Sequence, residues 1–435
     1  MGVGRSSLRV ALPAVAAVLV ALAAPGTSAA SSHIRFGVDD DQIVGAGPAG
    51  DSAPDTLDTL GVRLVRYTVN WRRVAPRKPE KPLDPRDPAY DWGSVDQALR
   101  RLHKRGIVAL VTLWGTPAWA NDGKPPNVLP KNRYSLAAFA GAVSARYPWI
   151  RLWEVWNEPN QQVFMSPNSP RLYVQRLLNP VYVELHLRNR ANRVAGGATS
   201  PRPTQSALSP VAFMRGMRAA HARLDAYSHH PYPISHGERP FGFAPGVCRY
   251  CKGILTLANL PELIKEVRRD FGPKRIWLTE YGYQTNPPDT FLGVPLKRQA
   301  TMLSLAAMRA WRLPRVTMFF QYLYRDEPEL SRFQSGLVFA DDHWKPSLQA
   351  FRLPFAQMGR EADRAIVWGQ IRNGRPGRKA YRLEVLQKNA WKPIRPIRLT
   401  NDDGVFIRKI RLKRGALLRV WSPSQRRFSL QLRIR

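Results

Sequence analysis

The sequence predicts an α/β chain: a (β/α)8 TIM barrel followed by a small C-terminal antiparallel β domain. Three observations carry this. Apolar strand-like runs alternate with helical spacings from residue 33 to about residue 355, the mark of parallel strands joined by helices. Two of those runs stop on a carboxylate, in Asn157-Glu158-Pro159 and Thr279-Glu280-Tyr281, and the two glutamates stand 122 residues apart. At roughly 30 residues per βα unit plus loop insertions, that separation spans three units, as between strands four and seven of a barrel of about 250 residues. Past residue 360 strands follow strands across Gly/Asn/Asp turns. The 435 residues therefore divide into 1–30, a barrel at 31–358 and a β-sheet domain at 359–435.

The first 30 residues read as a secretory signal peptide. Arg5 and Arg9 precede an apolar run at 10–24, and Thr27-Ser28-Ala29-Ala30 offers small residues for cleavage. The apolar run is shorter than the about 20 residues a spanning helix needs, and no later run is long enough. The expectation is a secreted, extracellular protein with no membrane span after cleavage. Residues 33–38 form the first strand, ended by Asp39-Asp40-Asp41. The stretch from Gly45 to Gly50 matches G-x-G-x-x-G, but Pro48 spoils the entry to a helix and no acidic residue follows at the required distance. It reads as a loop.

A short helix at 55–60 stops at Gly61, and residues 62–69 make the second strand, carrying Arg66 and running into Asn70-Trp71. Residues 91–105 have helical spacing at Val95, Leu99 and Leu102 and end in basic residues before Gly106. The apolar strand at 107–113 ends in Trp114-Gly115-Thr116-Pro117-Ala118-Trp119. Helix 136–147 leads to the strand at 150–156, which Pro159 is expected to stop because it lacks the N–H the ladder needs. A long helix at 171–191, a short strand at 194–198 and a helix at 210–220 follow. The sixth strand, 224–232, contains His229-His230-Pro231-Tyr232, and adjacent histidines on a strand point to opposite faces, a poor metal pair. Helix 260–270, strand 275–282, helix 296–311 and strand 316–323 complete the barrel. The C-terminal strands are placed at 365–371, 380–386, 405–412, 416–421 and 427–435. The last alternates strictly, with Phe428, Leu430, Leu432 and Ile434 on one face.

Carboxylates at the C-terminal ends of strands four and seven face one another across a barrel mouth, which is where barrels keep their chemistry. Trp153-Glu154-Val155-Trp156-Asn157-Glu158-Pro159-Asn160 resembles the fourth-strand signature of glycoside hydrolase clan A, and Thr279-Glu280-Tyr281-Gly282 resembles its seventh-strand motif. Thr116-Pro117-Ala118-Trp119-Ala120 is similar to the third-strand loop of family 39, so the nearest likeness is to families 39 and 5. The resemblance implies a retaining β-glycosidase without metal or organic cofactor. It implies that Glu158 is the acid/base, Glu280 the nucleophile, and Asn157 the partner of the sugar 2-hydroxyl. It further implies substrate contacts for Arg66 and Trp71, and for His230 and Tyr232 beside the nucleophile. Trp114 and Trp119, at a strand end, suit a sugar cleft because aromatic faces stack on pyranose C–H groups. Clan members often end the eighth strand with Trp; this chain has Phe320-Gln321-Tyr322, which leaves Tyr322 as the aromatic there. Arg66 also fits a barrel-core role, paired to Glu154.

Lys and Arg number 67 against 32 Asp and Glu, a formal charge of +35. Such a field attracts polyanions, although a basic surface adapted to host composition accounts for it equally. Residues 364–435 hold 20 of the cations and 3 of the acids; this is either a solvated basic face or a tether to an anionic cell-wall or matrix polymer. No nucleic-acid motif accompanies the charge. The two cysteines, Cys248 and Cys251, are too few for a tetrahedral zinc site and lie far from any thioredoxin-like start. They read as a small disulfide in an oxidising compartment. Two functions follow from the whole: a secreted retaining hydrolase of β-linked carbohydrate, or a non-catalytic polysaccharide- or cell-wall-binding protein on an inherited barrel.

Overall fold

Short, largely buried runs make eight parallel strands: β1 (Arg35–Asp39), β2 (Leu64–Asn70), β3 (Val108–Trp114), β4 (Leu152–Val155), β5 (Arg193–Thr199), β6 (Ala226–His229), β7 (Arg275–Leu278) and β8 (Val316–Tyr322). Each pairs with its neighbours in order, and β8 pairs with β1, so the sheet closes into a barrel. The computed structural model describes residues 1–2, 34–45, 52–243, 253–372, 374–394 and 396–435. Most of the expected signal peptide, the loop after Gly45 and both Cys248 and Cys251 lie outside the described residues. Among those described, no helix is long and apolar enough to cross a membrane.

The strand period decides what fills the barrel. Leu64, Leu110, Leu152, Ala195, Ala226, Trp277, Met318 and Phe320 form an apolar plug in the lumen. Two residues further along their strands, on the same face, Arg66, Thr112 and Glu154 are buried as a polar layer nearer the strand C-termini. Gly37 is required here: a Cβ on it would come within 2.8 Å of the Phe320 ring and of the Leu64 carbonyl.

The outer helices follow the i, i+3, i+4 apolar stripe. Helix Gly93–Lys104 buries Val95, Ala98, Leu99 and Leu102, and helix Leu260–Phe271 ends at Gly272, whose φ is +77°. The long helix expected at 171–191 is interrupted. Pro170–Tyr173 and Asn179–Arg188 are α-helical, while Val174–Leu178 forms a wider π turn. Pro180 lacks the N–H that would reach the Arg176 carbonyl, so the ladder loosens just before it.

The C-terminal strands stack as two antiparallel sheets. One holds β9 (Phe355–Glu361), β10 (Arg364–Gln370) and β13 (Val405–Arg411). The other holds β12 (Ala390–Pro393), β11 (Ala380–Gln387), β14 (Leu417–Ser422) and β15 (Arg427–Phe428), in that order, with β16 (Leu432–Arg433) also on β14. Their core includes Phe355, Val367, Leu383, Leu418, Val420 and the stacked pair Tyr381 and Phe406, 4.0 Å apart. The first sheet leans on the barrel through Trp368, 5.9 Å from Trp311 of helix Leu296–Trp311. β9 and β12 were not anticipated. The continuous strand expected at 427–435 is broken, because the Val420 N–H donates to the Ser429 hydroxyl and pinches the chain there. Its alternation fails as a result: Ile434 is buried in the core while Phe428 turns to the opposite face.

Candidate active site

The mouth is built from strand ends. β4 stops at Val155, earlier than Pro159 requires, because Trp156 and Glu158 take left-handed backbone angles, φ +73° and +37°. Such residues cost on the order of 1–3 kcal/mol each. The turn is held by hydrogen bonds from Trp156 N to the Leu113 carbonyl and from Glu158 N to the Ala198 carbonyl, both 3.0 Å. Asn160 pins the far side: its amide donates to the Ser200 hydroxyl and the Leu208 carbonyl, each at 2.9 Å. The twist aims Asn157 and Glu158 into the mouth.

Arg66, on β2, is the hub. Its Nε donates to Glu154 Oε2, one terminal nitrogen to Asp39 and Glu280, and the other to the Asn157 carbonyl oxygen, all at 2.7 Å. Thr112 donates to the same oxygen of Glu154 at 2.9 Å. Glu280, two residues beyond β7, also accepts from the Tyr232 hydroxyl at 3.0 Å. Glu158 lies against His230 Nδ1 at 2.9 Å, and the Gln161 amide donates to its other oxygen. Oxygens of Glu158 and Glu280 and a ring nitrogen of His230 lie within 4.8 Å of one another.

Burial governs the protons. It pushes Glu158 and Glu280 up to about 8, with Arg66 opposing it at both. Asp39 is also raised by burial against Arg66. Two acids this close titrate as a pair. Glu280 receives the guanidinium and the phenol directly, which favours its charged form relative to Glu158. His230 is lowered, first by burial and then by Arg66, and is neutral. The trio of two carboxylates and an imidazole has donors of the type a divalent ion takes. Arg66 and Tyr232 each donate to one oxygen of Glu280, and the Arg66 guanidinium sets a positive charge beside the trio.

Two lobes of the cleft meet at Asn157, Phe164, Glu280 and Tyr322. One, of about 770 Å³, runs over Asp41, Arg73, Trp114 and Glu327; the other, of about 530 Å³, runs over Glu158, Gln161, Arg202, His236 and Phe333.

The sequence matches no protein-family model and no curated protein. Solved structures do resemble it. A family 39 glycoside hydrolase from Bacteroides cellulosilyticus WH2 superposes with a TM-score of 0.58 at 19% identity, over 87% of this chain and 79% of that one. The GH39 enzyme from Xanthomonas axonopodis pv. citri gives 0.56 at 14% identity, over 91% and 95%. A hyperthermophilic β-glucosidase mutant gives 0.53 at 13% identity, over 74% and 99%. The fold is shared with all three.

Of the residues expected at the site, the structure gathers Arg66, Asn157, Glu158, His230, Tyr232 and Glu280 into one hydrogen-bonded cluster, with Trp114 and Tyr322 on the cleft wall. The expected pairing of Arg66 to Glu154 is present. Two tryptophans are elsewhere. Trp71 is buried, stacked on Phe139 at 5.8 Å and edge-on to Trp119 at 5.7 Å. Trp119 lines neither lobe and spends its N–H on the Ala75 carbonyl. Both belong to the packing behind the mouth, because the turn after β2 folds Trp71 inward as the first residue of helix Trp71–Val74. Gln161, Asp39, Phe164 and Phe333 were missed. Two of them carried a signal: Gln161, three residues after Glu158 within the same turn, and Asp39, a carboxylate at the C-terminal end of β1.

Proposed function

We propose that this protein is a secreted retaining glycoside hydrolase that cleaves β-linked oligo- or polysaccharide by double displacement. The observation that carries the reading is the pair Glu158 and Glu280, with oxygens within 4.8 Å across the mouth. Retaining enzymes hold their two carboxyls about 5–5.5 Å apart, whereas inverting enzymes leave room for a water at about 6.5–9.5 Å. The different partners of the two glutamates support the assignment of roles.

Glu280, charged beside Arg66 and Tyr232, attacks the anomeric carbon. Glu158 passes its proton to the leaving glycosidic oxygen, so the C–O bond breaks as the glycosyl ester forms. Once esterified, Glu280 carries no charge, and the repulsion that helped to hold a proton on Glu158 is gone. Glu158, now ionised, takes a proton from water as the water attacks the ester, which restores both carboxyls. Asn157, held by Arg66 through its carbonyl oxygen, presents its amide N–H to the sugar hydroxyl next to the reacting carbon. The fold likeness to family 39 enzymes supports a carbohydrate substrate. No step needs a cofactor.

The proposal includes export, with residues 1–30 as leader, a Cys248–Cys251 disulfide, and the basic sheets at 359–435 as the contact with an anionic wall or matrix polymer. Mass-spectrometric product analysis on β-linked glucans, mannans, xylans and acidic exopolysaccharides tests the reading, with Glu280→Gln alongside. Products from wild type alone establish reaction and substrate together. Products from neither protein, with both folded, sink it.

A further inference from the structure

The outer face of the second C-terminal sheet carries an ordered row of rings and guanidinium groups that the fold does not require. Arg382 lies opposite Trp421, Glu384 opposite Arg419, and Leu386 opposite Trp391, so these side chains share one face. Their neighbours Leu383, Val385, Leu418 and Val420 fill the core on the other side. Phe428 sits opposite Trp421, with ring centroids 4.6 Å apart. The Arg419 guanidinium is sandwiched, 4.2 Å from the Trp391 ring and 3.6 Å from the Phe428 ring. One residue before Phe428, Arg427 lies 5.3 Å over Trp344, which is 60% exposed. Trp391, Trp421 and Phe428 are half-buried.

A solvated sheet face ordinarily alternates polar residues, and large rings on it are an aggregation liability unless something covers them. Here the stacked arginines hold the rings upright and spaced. Glu384 is the acid on this face, and it is buried and shared between Arg382 and Arg419, at 2.6 and 2.7 Å. The other two acids of residues 364–435, Asp402 and Asp403, line a pocket shared with Ile34, Phe36 and Leu64 of the barrel. The face is thus aromatic and cationic.

We infer that this face is a second carbohydrate site, which binds a polymer of carboxylated pyranoses such as a polyuronate. Indole and phenyl faces stack on pyranose C–H groups, while guanidinium forks match carboxylates and keep their charge at every working pH. Neither requirement alone selects that ligand; the alternation of the two does. The choice of a saccharide over a nucleic acid rests on the glycosidase reading and on one continuity. Trp344 belongs to the loop between β8 and helix Pro346–Arg352, the same loop whose Glu327, Arg332 and Phe333 line the cleft. That loop links the face to the cleft along the chain.

The test uses the full chain carrying Glu280→Gln, so that nothing is cleaved, and measures retention on immobilised polyuronate, neutral β-glucan and duplex DNA at two salt concentrations. Tight retention on polyuronate is expected, weakened about tenfold or more by Trp391→Ala with Trp421→Ala. Arg427→Glu, at a half-exposed position, should weaken it independently and serves if the double variant fails to fold. Any of three results overturns the site: no retention on polyuronate, equal retention of polyuronate and DNA with no effect of the ring substitutions, or ring-dependent retention of DNA alone. Ring-dependent polyuronate binding by a wild type that yields no products from any polymer removes the glycosidase reading and leaves this site standing.

Discussion

The barrel mouth and the outer C-terminal sheet face use the same parts in opposite proportions. In the mouth one guanidinium, Arg66, serves Asp39, Glu154 and Glu280, with Glu158 close by, and all are buried. On the sheet face two guanidinium groups serve one carboxylate, Glu384, and rings stand half-exposed around them. Surplus carboxylate in a dry site must keep a proton, which makes acid chemistry possible. Surplus cation at a wet surface keeps no proton to give and attracts anions instead. The contrast separates the site proposed for reaction from the one proposed for attachment.

The largest expected effect breaks the first half of that comparison. Glu280→Gln should reduce turnover to background on every glycoside, as read by product release. Glu158→Gln should cost about 10²–10⁴-fold on substrates whose leaving group needs a proton. The loss should shrink on aryl glycosides with acidic leaving groups. An equal loss across leaving groups would remove Glu158 as the acid.

Arg66→Met leaves buried carboxylates without their cation, a change that costs about 3–5 kcal/mol in chemical denaturation. It also raises the pKa of Glu280, so the acid limb of the pH–rate profile should move upward. Trp71→Ala should cost a similar amount of stability, about 3–5 kcal/mol, because it empties a packed aromatic site. Its effect on KM should be small beside that of Trp114→Ala, which removes cleft wall. A reversed pattern would return Trp71 to the substrate.

The finest test is pH. Glu158 must be protonated to act, so activity should fall as pH rises through its raised pKa, near 8. Gln161 hydrogen-bonds Glu158 and lowers that pKa. Gln161→Ala should therefore move the alkaline limb to higher pH, and a downward move would contradict the assigned contact. On the sheet face, Arg427→Glu should leave turnover of a short soluble glycoside unchanged.

The order of strands and helices, the change of pattern near residue 360, and the two strand-end glutamates with Asn157 were legible from the residues alone. They depend on local period and on turn chemistry, which a short window of sequence contains. The motif even located the site's centre, since strand ends of a barrel converge wherever the loops lead. What the windows could not hold was partnership. Arg66 meets Glu280 across 214 residues, and which carboxylate holds the proton follows from that contact and from burial. Trp71 and Trp114 look alike in sequence at their strand ends, yet one turns into the core and the other onto the cleft wall. The strict alternation at 427–435 fails because Val420 and Ser429 meet only after the sheet has formed. Period is a property of neighbours along the chain; burial, pairing and proton affinity belong to neighbours in space, and those exist only once the barrel has closed.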